Sequence, residues 1–244
     1  MTPPQCRIGV AGWGLSRTVA DRFPPDGTHL QRYAAVFPAV EINSCFYRHH
    51  RPATYARWAA SVPAGFRFSV KLPKAITHDA QLATWEPVLD RFLEEVGALG
   101  EKLGCVLVQL PPKLAFEHTV AEAFFRSLCT SYSGPIAVEP RHPTWAEETV
   151  ESFLRDHGIA RVAADPVRFP GADRPAGSDR LVYYRLHGSP RIYHSAYPNA
   201  YLEQVAGELR RAAERGTEAW CIFDNTASGA AVPDALSLLA RLRE

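Results

Sequence analysis

Apolar and polar positions along the chain repeat in a regular order. Short runs in which alternate residues are apolar, the period of a β-strand, are followed by longer stretches with apolar residues every three or four positions, the period of a helix. The run 7–13, "RIGVAGW", precedes a stretch over 29–37 that sets Leu30, Tyr33, Ala34 and Phe37 on one face. Strand 39–43, "AVEIN", precedes a helix over 52–62 that opens on Pro52, a residue suited to a first helical turn. Strand 66–72 precedes a helix within 84–102, and strand 105–110 precedes one within 118–130. Strand 136–142 is followed by a helix over 146–158, with Gly158 as its stop. Strand 160–165, strand 181–188, a helix within 199–215, strand 218–226 and a helix over 233–243 complete the chain.

Eight strands separated by helical segments predict parallel β-α-β units and, at this length, a single (β/α)8 barrel of the TIM type over residues 1–244. An open doubly wound sheet is the alternative. One unit is irregular. Between Asp165 and Leu181 the segment "PVRFPGADRPAGSDR" is broken by prolines, glycines and a serine, so an irregular connection replaces the sixth helix.

Alternation also assigns faces. Val40 and Ile42 oppose Glu41 and Asn43; Phe68, Val70 and Leu72 oppose Arg67, Ser69 and Lys71. Val106, Val108 and Leu110 oppose Gln109, and Ile136 and Val138 oppose Glu139 and Arg141. Val162 and Ala164 oppose Arg161 and Asp165, while Val182, Tyr184 and Leu186 oppose Tyr183, Arg185 and His187. Helices cover the outside of such a barrel, so its outer face must be apolar and the polar alternates point inward. The expected inward set is Glu41, Asn43, Lys71, Gln109, Glu139, Arg141, Asp165, Arg185 and His187, with Asn225 or Asp224 from the last strand. A buried charge without a partner costs several kcal/mol. Repetition over six strands therefore marks a site, and in these barrels the C-terminal mouth is where ligands sit.

Composition narrows the partners. The formal net charge of +1 gives no field that would draw nucleic acid, membrane or an acidic partner. Five widely spaced cysteines without a C-x-x-C motif argue against a disulfide framework or structural zinc. The first residues, "MTPPQCRIGV", lack the regions of a signal peptide, and no apolar run reaches membrane-spanning length, so a cytoplasmic location is expected. No Walker A or G-x-G-x-x-G sequence is present, and no cofactor is expected.

Six motifs in order, "VEINSCFY", "KLPKAITH", "LVQLPPKL", "AVEPRHPTW", "YYRLHG" and "FDNTASGAA", resemble the YecE-like family, domain of unknown function 72, over about residues 7 to 240. The resemblance implies a (β/α)8 barrel and no established activity. It further implies a site drawn from Glu41, Asn43, Tyr47, Lys71, His78, Gln109, Glu139, Arg141, His142, Trp145, Arg185, His187, Asn225 and Thr226. This chain departs from the family pattern in having Asp224 where an asparagine is usual.

The chemistry expected of these residues is acid/base catalysis on a small polar, phosphorylated or carboxylated molecule. Glu41, Lys71, Glu139 and His187 would act as acid or base. Asn43, Tyr47, His78, Gln109, Arg141, His142, Trp145, Asp165, Arg185, Asn225 and Thr226 would hold the substrate. Arg141, Arg185 and His187, with the small residues of 225–229, form the expected anion site. Two other readings remain open. One is a divalent-metal isomerase or phosphodiesterase using Glu41, Glu139, Asp165, His142 or His187, which the interspersed cations disfavour. The other is a barrel that binds a ligand without turning it over.

Overall fold

A computed structural model describes residues 6–243. Its strands and helices alternate as β1 (Cys6–Val10), α1 (His29–Ala34), β2 (Ala39–Ile42), α2 (Pro52–Ala60), β3 (Arg67–Lys71), α3 (Glu86–Gly97), β4 (Leu103–Gln109), α4 (His118–Ser131), β5 (Ile136–Glu139) and α5 (Glu148–Asp156). Then come β6 (Ala160–Arg161), β7 (Ala163–Asp165), β8 (Ala176–Gly177), β9 (Leu181–Leu186), α6 (Asn199–Glu214), β10 (Glu218–Phe223) and α7 (Ala231–Arg241). Local chemistry sets several ends. Thr28 and Gln31 form a capping box at α1, Pro52 opens α2, and Gly158 leaves α5 at φ 68°.

Hydrogen bonding does not draw one closed ring of eight parallel strands. The strands form two sheets, a four-stranded one in the order β1-β10-β9-β7 and a six-stranded one in the order β2-β3-β4-β5-β6-β8. Every pairing is parallel except β6 with β8. The chain passes from one sheet to the other at β6 and β7, which only Val162 separates; its N–H donates to Val138 O at 2.8 Å. At the opposite margin β1 lies beside β2. Ala11 and Glu41 form a single parallel bridge, and Gly12 N–H donates to Glu41 O at 2.9 Å. The approach is close enough that a Cβ on Gly9 would fall 2.3 Å from Ala39 O. No helix forms between β7 and β9, where β8 pairs antiparallel with β6.

Two apolar clusters follow from the alternation. Helices cover the larger one, which includes Ile8, Val40, Val70, Val108, Val138, Tyr184 and Phe223. The smaller one gathers the opposite face of the strands, among them Ala39, Leu107, Ala137, Val162, Tyr183, Trp220 and Ile222. Its rings of Tyr183 and Trp220 stack at 5.9 Å. Full burial of a large apolar side chain contributes about 1.5–3 kcal/mol. This floor of apolar residues therefore holds the two sheets face to face and carries the polar strand ends above it.

Strand six has the opposite phase to the one expected. Val162 and Ala164 belong to the inner cluster, whereas Arg161 turns outward to Glu151 of α5 at 2.9 Å and to Gly171 O at 3.1 Å. Asp165 faces out as well and accepts from the Tyr197 hydroxyl at 2.9 Å. The cause is the run "ARVAAD", whose small residues suit either face; an ion pair with α5 then decides the phase.

Candidate functional site

Five strand ends deliver polar side chains to one place, four of them charged. Glu41 lies one residue before the end of β2, Lys71 ends β3, Gln109 ends β4, Glu139 ends β5, and Arg185 with His187 come from β9 and the residue just past it. Glu41, Glu139, Arg185 and His187 are all 3% exposed or less.

Arg185 organises the cluster. Its Nε lies 3.0 Å from Glu41 Oε2, its Nη2 2.7 Å from Glu41 Oε1 and 2.9 Å from Asp224 Oδ2, and its Nη1 3.0 Å from Glu139 Oε2. The guanidinium is thereby saturated by three carboxylates. Burial works against its charge, but Asp224, Glu41 and Glu139 overcome that and hold its pKa well above the ordinary arginine value. Tyr183 OH lies 3.1 Å from Glu41 Oε2 and 2.9 Å from Ser69 Oγ, fixing the carboxylate from its other side.

His187 stands between two carboxylates. Nε2 is 2.9 Å from Glu139 Oε1, and Nδ1 is 3.1 Å from Asp224 Oδ2. Carboxylates at both nitrogens suit a ring that donates twice, the imidazolium, and Arg185 Nη1 also stands 3.3 Å from Nε2. Burial lowers its pKa, yet Glu139 and Asp224 raise it above the usual histidine value. Glu139 is correspondingly held well below the carboxylate range: burial opposes, and Arg185, His187 and Arg141 prevail. Gln109 Nε2 donates to Glu139 Oε2 at 3.0 Å, and Arg141 approaches Glu139 Oε1 with longer contacts of 3.3 and 3.4 Å.

Lys71 is the exception. Among the described residues its Nζ makes no hydrogen bond or ion pair; it lies over the ring of Phe46, 3.8 Å from the centroid. Lys71 is buried, with 7% of its surface exposed. Burial first, and then the charge of Arg185, bring its pKa down to about 8 against the pull of Glu41, Glu139 and Asp224. Charge balance explains the difference. Glu41, Glu139 and Asp224 are three anions, and Arg185, Arg141 and the His187 imidazolium are three cations, so Lys71 is one cation in excess.

Phe46 also meets His78, with ring centroids 5.0 Å apart. His78 lies on a single π-helical turn, Ala75–Asp79, that follows β3, and its Nδ1 is 2.8 Å from Thr77 Oγ1. Its pKa is lowered by burial and then by Lys71, Arg141 and Lys74, which places those cations around it. Tyr47 is 80% exposed and packs against the other side of Phe46 at 4.8 Å.

Several expected site residues lie elsewhere. Asp165 is bound to Tyr197, as described, and Asn225 is buried with its amide on Ser195 O and Asp234 Oδ2. Asp224, one residue earlier, takes the place in the cluster. Thr226 is exposed beyond it. Trp145 is core: its Nε1–H donates to Leu114 O at 3.0 Å and its ring packs on Phe116. His142 closes a local turn with Thr144, and Asn43 makes no hydrogen bond to the cluster. Of the expected anion site of Arg141, Arg185, His187 and the 225–229 loop, Arg185 and His187 are already engaged by the cluster's own carboxylates. The five possible metal ligands do not converge either: His142 and Asp165 are turned away, and Arg185 fills the space between Glu41 and Glu139. Among the described residues no group of three or more His, Cys, Asp or Glu side chains is placed to hold a metal ion, and no helix is long and apolar enough to cross a membrane. Alternation alone could have singled out Tyr183 and Ser69, which share faces with Arg185 and Lys71. A large recess lies apart from the charged cluster, lined by Asp173, Tyr184, Tyr201 and Glu208.

Comparison with known proteins gives the chain a place. The family described as "Protein of unknown function DUF72" matches residues 7–244. The chain is 31% identical over 144 residues to the UPF0759 protein YecE of Escherichia coli K12, covering 57% of this chain and 52% of that protein, so the matched part spans about half of YecE. It is 23% identical to the UPF0759 protein YunF of Bacillus subtilis, covering 96% of this chain and 94% of that one. Two crystal structures of DUF72 family proteins share the fold. The one from Thermotoga maritima has a TM-score of 0.82 at 26% identity, covering 98% of this chain and 100% of that chain. The one from Enterococcus faecalis has a TM-score of 0.82 at 21% identity, covering 98% and 96%.

Proposed function

The chain belongs to the DUF72 family, whose function is unknown, and on that premise we propose that it is an enzyme acting on a small anionic molecule by acid/base chemistry. Its two sheets serve as one eight-stranded barrel. The single Ala11–Glu41 bridge, the one-residue step between β6 and β7, and the bonds of Arg185 to both Glu41 and Glu139 support that reading. The observation that carries the function is the unpartnered, excess cation Lys71 at the mouth. Around it Glu41, Glu139, Asp224, Arg185 and His187 form a fixed field of mixed sign that, with burial, sets the affinity of Nζ for its proton. An amine that titrates near 8 exchanges protons with a substrate at neutral pH, which an ordinary lysine does poorly. Arg141, held to Glu139 only by its long contacts, turns to the anionic group of the substrate, and His78 packs against the ring of Phe46.

Phosphate and sulfate are the direct probes. An anion at a hundred times its Kd stabilises the fold by about 2.7 kcal/mol, a rise in melting temperature of roughly 5–10 °C for a domain of this size. The rise should be present near neutral pH, weaken as pH passes the Lys71 value of about 8, and be largely lost in Arg141→Met. Melting temperatures that ignore both anions would overturn the reading.

A further inference from the structure

We propose that the Lys71 amine reacts covalently, forming a Schiff base, and that the substrate of the mouth is therefore a small aldehyde or ketone carrying a carboxylate or phosphate; this rests on the reading of the mouth as an anion-binding catalytic site. Three features of the geometry carry it. The Nζ of Lys71 makes no hydrogen bond or ion pair among the described residues, whereas the amine of a structural lysine would be held by a carboxylate. It lies on the face of Phe46, against which a planar carbonyl carbon can be brought. His78 meets the same ring, with Nδ1 engaged by Thr77 and Nε2 free of any bond among the described residues.

The step balances with these groups and one proton from solvent. The lone pair of neutral Nζ adds to the carbonyl carbon, and the C=O π pair moves to oxygen, which takes a proton from solvent. Nitrogen gives up a proton to His78 Nε2, leaving the neutral carbinolamine. The imidazolium so formed returns that proton to the hydroxyl, the C–O bond breaks, water leaves, and the nitrogen lone pair closes the C=N+ bond. Amine, carbonyl and one solvent proton become iminium and water with no change of oxidation state. Burial and the charge of Arg185 keep the amine free, while Glu41, Glu139 and Asp224 stand ready to stabilise the positive iminium nitrogen. Desolvated lysines beside other cations are a known device for this reaction.

The test is reductive trapping on the full chain. Pyruvate and glycolaldehyde phosphate are offered with cyanoborohydride, and the modified lysines are located by peptide mass mapping. The chain has four lysines, Lys71, Lys74, Lys102 and Lys113, so each serves as a control for the others. At neutral pH Lys71 holds on the order of a hundredfold more free amine than a lysine at the ordinary value. The expected result is labelling at Lys71 at least about tenfold faster than at Lys74 or Lys113, suppressed by sulfate. Labelling of Lys71 no faster than of Lys74 overturns the proposal. If sulfate still raises the melting temperature in that case, only the covalent step falls and Lys71 is a proton carrier. If sulfate also has no effect, the anion-site reading falls with it.

Discussion

Arg185→Met is expected to lose about 3–5 kcal/mol of stability at neutral pH, the range for removing one partner from a buried ion network. Domains of ordinary stability have only about 5–15 kcal/mol in all, so this one side chain accounts for much of the margin. The guanidinium meets Glu41, Glu139 and Asp224 at 2.7 to 3.0 Å, and methionine keeps its stem while leaving three buried carboxylates facing one another. The pH dependence should reverse. In the parent, Glu139 and Asp224 titrate below their unfolded values, so their stabilisation is present above those values and is lost as pH falls through the lower folded ones. In the variant, their charges repel, the folded values rise, and mild acid restores stability. Adding Glu41→Gln should recover part of the loss. Urea midpoints across pH measure this directly; a loss under about 1 kcal/mol would show that the network is not what holds the strand ends together.

Lys71→Met should do the opposite and stabilise the fold. A lysine whose folded pKa is about 8 carries a penalty for being charged in place. Relative to the ordinary value, that penalty is about 3 kcal/mol at most. The sign is fixed by linkage. The penalty is complete below pH 8, where the amine is protonated folded and unfolded, and it vanishes as pH rises toward the unfolded value of about 10.4. Methionine keeps the contact with Phe46, so the variant should gain about 1–3 kcal/mol near neutral pH. It should lose the gain in alkali, and it should no longer be labelled at this position. Such a gain at the expense of activity is expected where a strained charge serves chemistry. A variant less stable than the parent near neutral pH would mean that Lys71 is a structural cation.

Much of this arrangement was legible from alternation. Glu41, Lys71, Gln109, Glu139, Arg185 and His187 each oppose a clearly apolar face, so a helix-covered outside left them only one direction. Strand six lacked that contrast. Ala160, Ala163 and Ala164 leave both faces of this short strand weakly apolar, and Arg161 turns out to an ion pair with Glu151 that is invisible to periodicity. The last strand failed for the opposite reason. Trp220 and Ile222 on one face are as apolar as Cys221 and Phe223 on the other, so hydrophobicity could not choose between Asp224 and Asn225. Nor could the sequence show that Arg185, expected to hold a substrate anion, is already satisfied by three carboxylates of its own chain. The ring of eight strands was inferred from counting, but hydrogen bonding divides the strands between two sheets, which meet at the Ala11–Glu41 bridge and the β6–β7 step.

The account rests on one amine that is a cation too many for its surroundings. Selective 13C labelling of lysine Cε gives four resonances, one for each lysine, and Lys71→Met assigns the one from the mouth. In a pH titration followed by NMR, the Lys71 signal is predicted to shift with a midpoint near 8 and to move to higher pH when sulfate is added. A Lys71 midpoint at the ordinary lysine value of about 10.4, unchanged by sulfate, would contradict the account.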